Sequence, residues 1–468
     1  MGRPNIVFIL IDTLRAKNVS CYGYPINTTP NIDKIANNGV LFENAFACIN
    51  ATDPSVTSIF SGLLPVSHGL INHGTNVKKS DIIQLKYIPW LPEVLKKYGY
   101  QTVAIDWLGR WHRRGFDLYL GFDKYEYFNV SNNIKILLNS LVEKLKNSTL
   151  KYFSKKNKKY KKIDNAKEIT TKAIKLIENM KKEPFFLFIH YWDAHAPYNS
   201  FDKSLFNLKI YEKIYYSIDI KNAEKIFKNN NVSGPIIKFI KENGGILECI
   251  AKYDNSIKYV DKEIERLFSY LKTTGKLNNT LIIITSDHGE SLIEHGILFD
   301  HHGLYEPNIR VPLIMYYKKF SRKRIKTLVQ HIDILPTILE ICNIDYQPSF
   351  FDGKSLLPII NGKLEKIRDF ILIEEAHTQR RIGIRTSKFK YIYSPNEEEK
   401  CRYCKVIHGS RNELYNLNID PEERNNIATK HPELVIYFRK FLLHERIKYK
   451  SKAKNIMKIK KLRRKFKK

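Results

Sequence analysis

The sequence predicts an α/β protein, a doubly wound sheet with helices on both faces, followed by a smaller C-terminal α+β subdomain. Three observations carry that expectation. Asn5–Ile11, Pro184–His190 and Thr280–Thr285 are continuous apolar runs of strand length, as expected of parallel strands covered on both faces. Helix-patterned segments alternate with them, the mark of crossover connections. Beyond residue 346 the texture changes to short strand-like runs with brief links.

The first run, Asn5–Ile11, ends in Asp12-Thr13-Leu14-Arg15. In open parallel sheets functional groups sit just past the carboxyl ends of strands, so a carboxylate there is more than a polar stop. Thr29-Pro30 to Gly39 reads as a helix with Thr as N-cap, Pro in the first turn and Gly at the end. Asn50 to Gly62 reads as a turn at Asp53-Pro54 into a short helix closed by Gly62, with Pro54 at the first helical position. First-turn N–H groups lack internal partners, so Thr52 is a hydroxyl beside an anion-binding helix start. On local sequence alone, a plain helix cap is the preferred reading.

Leu91–Tyr98, ended by Gly99, is a helix, and Gln101–Ile105 a strand. Gly109-Arg110-Trp111-His112 follows, then a Lys-rich insertion at about 141–163. Ala166–Lys182 has helical spacing, and the strand Pro184–His190 runs into Tyr191-Trp192-Asp193-Ala194-His195. Residues 200–245 are polar and weakly patterned, read as an irregular lid. Ile250–Leu271 is a long amphipathic helix, and Thr280–Thr285 runs into Ser286-Asp287-His288-Gly289-Glu290. Arg310–Met315 and a helix at Asp333–Cys342 complete a catalytic unit spanning 1–345. Short strands at Asp369–Glu374, Gly383–Arg385 and Lys390–Tyr393, with a helix at Pro432–Leu443, build a subdomain spanning 346–446. Residues 447–468 form a basic tail, expected to be disordered or helical.

The formal net charge is +31, and thirteen of the positive residues lie between Arg446 and Lys468 without a single acid. Such runs read first as solvated segments and second as sites for anionic partners. No nucleic-acid module accompanies them, so nucleic acid is not expected; an anionic membrane surface is the partner the tail could meet. Six cysteines in 468 residues do not make a disulfide framework. Cys401-Arg-Tyr-Cys404, followed by His408, lacks a visible second ligand pair, so it reads as a local disulfide or two thiols rather than a zinc knuckle. No run approaches the ~18 apolar residues of a membrane span. Without a signal-peptide pattern the expected location is cytoplasmic, with peripheral membrane contact through the tail. The oligomeric state is left open.

Asp12, Asp193/His195 and Asp287/His288 each follow an apolar strand, and three such coincidences argue against turn residues alone. Asp12, Asp287, His288 and the Thr52 oxygen make a four-ligand site whose mixed donors suit Zn²⁺ or Mn²⁺ better than an all-oxygen Ca²⁺ cage. A Thr hydroxyl is inert at neutral pH unless its proton is removed or its oxygen stabilised, which a divalent cation does. His195, His301 and His302 could neutralise the other oxygens of a phosphoryl or sulfuryl group or protonate the leaving group. The plainer readings are a core imidazole for His195 and an exposed loop pair for His301-His302.

Several motifs occur together and in order. They are Asn5-Ile-Val-Phe-Ile-Leu-Ile-Asp12-Thr-Leu-Arg, Cys21-Tyr-Gly-Tyr24, Thr29-Pro-Asn-Ile-Asp33, Pro65-Val-Ser-His68-Gly and Gly99-Tyr-Gln-Thr102. Ser286-Asp-His-Gly-Glu290, Glu294-His-Gly296, Leu304-Tyr-Glu306 and Ile309-Arg-Val-Pro-Leu313 follow. Asp333-Ile-Leu-Pro-Thr337, Phe351-Asp-Gly-Lys-Ser-Leu356, Glu413-Leu-Tyr415 and Asp420-Pro-Glu422 complete the set. From residue 5 to about 446 the chain thus resembles the sulfatase family of the alkaline-phosphatase superfamily. The resemblance implies a metal-dependent α/β enzyme acting on sulfate or phosphate esters of small molecules, glycans or lipids. It implies Asp12, Asp287 and His288 as metal ligands and Thr52 at the nucleophile position. His195, in a stretch similar to the family's His-x-Pro, becomes a substrate-binding histidine, and His301 falls where sulfatases often place a substrate-binding Lys. Arg110 and His112 resemble the Lys and His of Gly-Lys-Trp-His. Asp193, His195 and His301 could alternatively hold a second metal, as in two-metal relatives. The implied cofactor is one divalent ion (Zn, Mn or Ca), or two.

Two departures matter. Formylglycine sulfatases need Cys or Ser in a C-x-P-S-R type motif, where this chain has Thr52-Asp53-Pro54-Ser55-Val56, and their paired N-terminal aspartates are reduced to Asp12-Thr13. Thr cannot become the aldehyde, so a sulfated Thr would be hydrolysed directly, whereas a phosphorylated Thr is an ordinary intermediate in this superfamily. The sequence therefore predicts a hydrolase of sulfate or phosphate esters. It also leaves a phosphoglycerol- or phosphoethanolamine-type transferase, a phosphodiesterase, and a non-catalytic anion-binding relative as alternatives.

Overall fold

The computed structural model describes residues 2–71, 73, 90–106, 124–127, 165–180, 182–198, 207–215, 217–229, 234–375, 378–402 and 405–465. Arg110, His112, Cys404 and the Lys-rich insertion at 141–163 lie outside the described residues. The main sheet has nine strands: β1 (Asn5–Ile11), β2 (Val40–Phe46), β3 (Gln101–Asp106), β4 (Lys124–Tyr127), β5 (Phe185–Tyr191), β6 (Thr280–Thr285), β7 (Arg310–Val311), β8 (Leu313–Tyr316) and β9 (Lys323–Gln330). Their order is β4-β3-β5-β1-β6-β8-β2-β7, with β9 paired to β2.

The half from β4 to β6 is parallel, and the three apolar runs are its centre: every residue of β1, β5 and β6 is buried. Beyond β6 the sheet turns mixed, because β8 runs antiparallel to β6 and β2. Arg310–Met315 is two strands rather than one, broken at Pro312, which has no N–H for a ladder. Phe60, from the helix Thr52–Ser61, packs edge-on against Phe8 of β1 at 5.8 Å and against Phe188 of β5 at 5.1 Å.

That helix starts at Thr52, two residues before the expected start, with Ala51 as N-cap and Pro54 still inside the first turn, where its missing N–H costs nothing. Gly62 ends it at φ 65°, a left-handed position that suits glycine. The expected irregular lid is helical where described, at Leu208–Ile214, Ser217–Lys228 and Gly234–Glu242. These helices are anchored through few buried side chains, Tyr211, Tyr215, Ala223 and Ile240 among them, so their periodicity is weak in the sequence. The long helix spans Ile246–Thr273.

A second, antiparallel sheet follows: β10 (Phe370–Glu375), β11 (Arg381–Thr386), β12 (Phe389–Tyr393) and β13 (Asn412–Asn416), in that order. The helix Pro432–Lys465 lies against it, Phe441 packing edge-on against Phe370 at 4.9 Å. It continues well past the expected end at Leu443 and into the basic tail. No helix among the described residues is long and apolar enough to cross a membrane.

One buried ion pair fixes the turn that leaves β1. Arg15 is fully buried and donates to both carboxylate oxygens of Glu294 at 3.2 and 2.6 Å and to the Glu290 carbonyl at 3.1 Å. Burial alone would raise the Glu294 carboxyl, but Arg15, with Lys17, holds it far below the usual carboxylate range. A depressed carboxyl contributes stability above its unfolded value and loses it as pH falls. Glu294→Ala, which strands a buried guanidinium, is expected to cost about 3–5 kcal/mol in chemical denaturation at neutral pH. In Glu294→Gln the stability should fall less steeply than in the wild type between about pH 5 and 3.

Candidate active site

The register of the central strands levels their carboxyl ends, since Leu10 of β1 lies opposite both His190 of β5 and Thr285 of β6. Asp12 therefore emerges beside Asp287 and His288. One ligand atom from each of these three buried residues lies within 4.8 Å of the others. Thr52, first residue of its helix, brings its hydroxyl to 3.4 Å from His288 Nε2.

The backbone is bent to make this possible. Thr13 adopts φ 55°, a conformation costly for a β-branched residue, and in it donates its N–H to Asp287 Oδ1 at 3.1 Å and its hydroxyl to the Ala194 carbonyl at 2.8 Å. His288 donates Nδ1–H to the Gly289 carbonyl at 2.8 Å, which leaves Nε2 as the lone pair facing Thr52. Ser55 donates to the Asp287 carbonyl at 2.6 Å, tying the helix to the loop after β6. Gly289 is required because a Cβ there would fall on the Pro307 carbonyl oxygen.

The donor set fits a divalent cation. Asp12 Oδ2 stands 3.2 Å from His190 Nε2, whereas Asp12 Oδ1 and Asp287 Oδ2 are buried with no hydrogen-bond partner among the described residues. Two leftover acceptor oxygens beside an imidazole lone pair are what a hard or borderline cation satisfies. Burial would raise the Asp287 carboxyl, but His288, His190, the Thr52 hydroxyl and the Thr13 N–H outweigh it and push it down to about 2. Burial would likewise lower His190, yet hydrogen bonds to Asp106 and Asp12 raise it to about 10, so it is a cation between two carboxylates.

His195 and His301 face the same space. His301 lies beside His288, the rings tilted by 32° with centroids 4.4 Å apart, and donates Nδ1–H to the Asn50 carbonyl at 2.6 Å. His195 stacks on Trp192 at 3.6 Å and donates Nδ1–H to the Ala196 carbonyl at 2.7 Å. Burial lowers both imidazoles, which favours their neutral form. The loop-pair reading of His301-His302 fails, since both are largely enclosed.

Asp193 does not join them. Its Oδ1 accepts from the Ala166 N–H at 3.2 Å, at the start of the helix Ala166–Asn179, and burial raises its carboxyl to about 7. The two groups of ligand atoms that approach one another among the described residues leave out Asp193. The set Asp193, His195 and His301 is therefore not assembled, because the carboxylate faces the helix start instead of the strand edge. Sequence reasoning passes over His190 and Asp106, whose 2.9 Å contact joins β5 to β3. A lone histidine inside an apolar strand run is the signal that could have found them.

Comparison with known proteins follows this geometry. The family described as Sulfatase matches residues 4–344, and the family described as N-sulphoglucosamine sulphohydrolase, C-terminal, matches residues 293–450. The chain is 26% identical over 507 aligned positions to an N-acetylglucosamine-6-O-sulfatase of Bacteroides thetaiotaomicron, covering 92% of this chain and 83% of that one. It is 25% identical to an arylsulfatase of Clostridium perfringens, covering 95% and 94%. Among solved structures, one in complex with its substrate D-glucosamine-2-N,6-O-disulfate aligns with a TM-score of 0.68 at 23% identity, over 96% of this chain and 99% of the other. The phosphonate monoester hydrolase of Agrobacterium radiobacter aligns with a TM-score of 0.67 at 19% identity, over 96% of each. These likenesses bear out the expected α/β fold.

The position of Asp193 is testable. Asp193→Ala is expected to lose about 0.5–2 kcal/mol in chemical denaturation, as for a lost helix-start acceptor. Metal bound per chain, measured by mass spectrometry, should be unchanged in that variant and reduced in Asp287→Asn.

Proposed function

The chain belongs to the sulfatase family, and from that premise we propose that it is a metal-dependent hydrolase of sulfate esters with Thr52 in the nucleophile position. The observation that carries the proposal is the convergence of the Thr52 hydroxyl on the Asp12, Asp287 and His288 group. A divalent cation held by those three residues, usually Ca²⁺ in this family, would lower the pKa of the Thr52 hydroxyl and offset charge on the sulfuryl oxygens.

The chain's own residues then divide the work. The helix start, tied by Ser55 to the loop after β6, holds the Thr52 oxygen toward the incoming ester. As the bond from Thr52 Oγ1 to sulfur forms and the sulfur–oxygen bond to the leaving alcohol breaks, the hydroxyl proton passes through a neutral imidazole to that alcohol. His195 and His301, each with Nδ1–H tied to a carbonyl and the ring turned toward the site, suit this shuttle. In the second step water attacks the sulfur, its proton passes to the imidazole, and Thr52 recovers its oxygen and proton as sulfate leaves. Sulfatases of this family usually use formylglycine. Threonine forms no such aldehyde, so release by hydrolysis at sulfur follows from the residue itself. The relative named for N-acetylglucosamine-6-O-sulfate supports a sulfated sugar as the substrate class.

Thr52→Ala is expected to lower kcat on an aryl sulfate by about 10³-fold or more with little change in folding, whereas Thr52→Ser should keep measurable turnover. Chelation should abolish activity, and Ca²⁺, Mn²⁺ or Zn²⁺ should restore it. Undiminished hydrolysis by Thr52→Ala would overturn the assignment.

A further inference from the structure

We infer that Cys401, His302 and His408 form a second metal site, of the thiolate–imidazole kind that takes Zn²⁺, joining the segment that carries His301 to the loop between β12 and β13. The inference does not depend on the role given to Thr52. His302 is about a hundred residues from Cys401 and His408, which share one loop, yet the three ligand atoms all lie within 4.8 Å of one another. Cys401 and His302 are buried and His408 is half-buried.

The distances bring the three donors around one space. His302 Nδ1 is 3.3 Å from His408 Nε2, and Cys401 Sγ is 3.6 Å from His302 Nδ1 and 3.7 Å from its Nε2. Around an ion with bonds of about 2.0–2.1 Å to nitrogen and about 2.3 Å to sulfur, tetrahedral angles place two nitrogens about 3.3 Å apart and nitrogen and sulfur about 3.6 Å apart, so binding asks the His302 ring to turn its Nδ1 into the shared space while the donors keep their spacing. The surrounding hydrogen bonds also orient the ligands. Asp300 Oδ2 lies 2.9 Å from His302 Nε2 and accepts its hydrogen bond, leaving Nδ1, the nitrogen 3.3 Å from His408 Nε2, as the unprotonated one. A carboxylate behind a ligating imidazole is the usual support for such a ligand. On the other side, the loop is tightened by bonds from Cys401 N–H to the Val406 carbonyl at 2.8 Å and from Lys405 N–H to the Cys401 carbonyl at 3.1 Å. His408 is held through its N–H, which donates to Gln379 Oε1 at 3.3 Å.

One thiolate and two imidazoles are softer than the oxygen-rich group at Asp12, Asp287 and His288, so the two sites differ in metal preference. Binding would release the Cys401 proton and leave a fourth position for water or another donor. Neighbouring histidines thus part ways, His301 turning to the Asn50 carbonyl and His302 to Cys401.

The test is cobalt substitution of the full-length protein, stripped of metal and reloaded with Co²⁺. The expected result is a thiolate-to-cobalt charge-transfer absorption in the wild type that persists in Asp287→Asn and is lost in Cys401→Ser. Zinc content after zinc loading should fall by about one ion per chain in Cys401→Ser and in His408→Ala, as for a site losing one of its few ligands. A wild type without the band, or a Cys401→Ser protein with band and zinc content unchanged, would overturn the inference. Should Cys401→Ser fail to fold, the same two readings on His408→Ala decide it.

Discussion

Two carboxylates, Asp12 and Asp287, are wholly buried at the carboxyl edge of a sheet whose central strands contain almost nothing but hydrocarbon. Taking each charge out of water costs several kcal/mol unless partners are built around it, and the construction of the site answers that cost. His190 supplies a cation from β5 and is itself stabilised from the far side by Asp106 of β3. The Thr13 and His288 N–H groups serve Asp287 Oδ1. What these partners leave over, Asp12 Oδ1 and Asp287 Oδ2, faces the His288 lone pair. The arrangement is electrostatically complete only with a further cation, so metal affinity and fold are two aspects of the same demand.

The helix Thr52–Ser61 answers the opposite need. Its first-turn N–H groups carry partial positive charge, which favours an anion arriving at Thr52. Because Ser55 binds the Asp287 carbonyl and Phe60 packs on β1 and β5, the helix cannot turn without moving the strands that carry the carboxylates. Attacking oxygen and ligand group therefore share one rigid frame, which is how positioning lowers a barrier.

What could be read from the sequence was whatever repeated or coincided. Strands β1, β5 and β6 are unbroken apolar runs, and the acid or imidazole after each run marked the site. The strand β2 escaped notice because Glu43-Asn44 interrupts Val40–Phe46, and β9 because its first half, Lys323-Arg324, is charged and lies on the outer side of the sheet. The helices between residues 207 and 242 show too few buried anchors to set a period. Asp193 looked like a ligand because it follows a strand, but the direction of its side chain is set by the helix start at Ala166, which no local pattern reveals. His190 was hidden for the converse reason: inside a strand run it reads as core, and only the neighbouring strand explains its charge.

The segment from Asp300 to Gly303 shows why the second sheet belongs to the chemistry rather than to its surroundings. Asn50 Nδ2 donates to the carbonyls of His301 and Gly303 at 2.6 and 3.0 Å, holding the segment from the side of Thr52. Glu375 of β10 accepts from the Gly303 N–H at 3.0 Å, holding it from the other side, and the Glu374 N–H donates to the Cys48 carbonyl at 3.0 Å just before the nucleophile turn. The loop that presents His301 and the stretch that presents Thr52 are thus both pinned by β10. A change in the packing of the second sheet must reach the site through two β10 contacts at once, one from the Glu375 carboxylate and one from the Glu374 backbone, so its core, Ile384, Tyr391 and Leu414 beneath Phe438 and Leu442, is under the same constraint as the strands that carry the carboxylates.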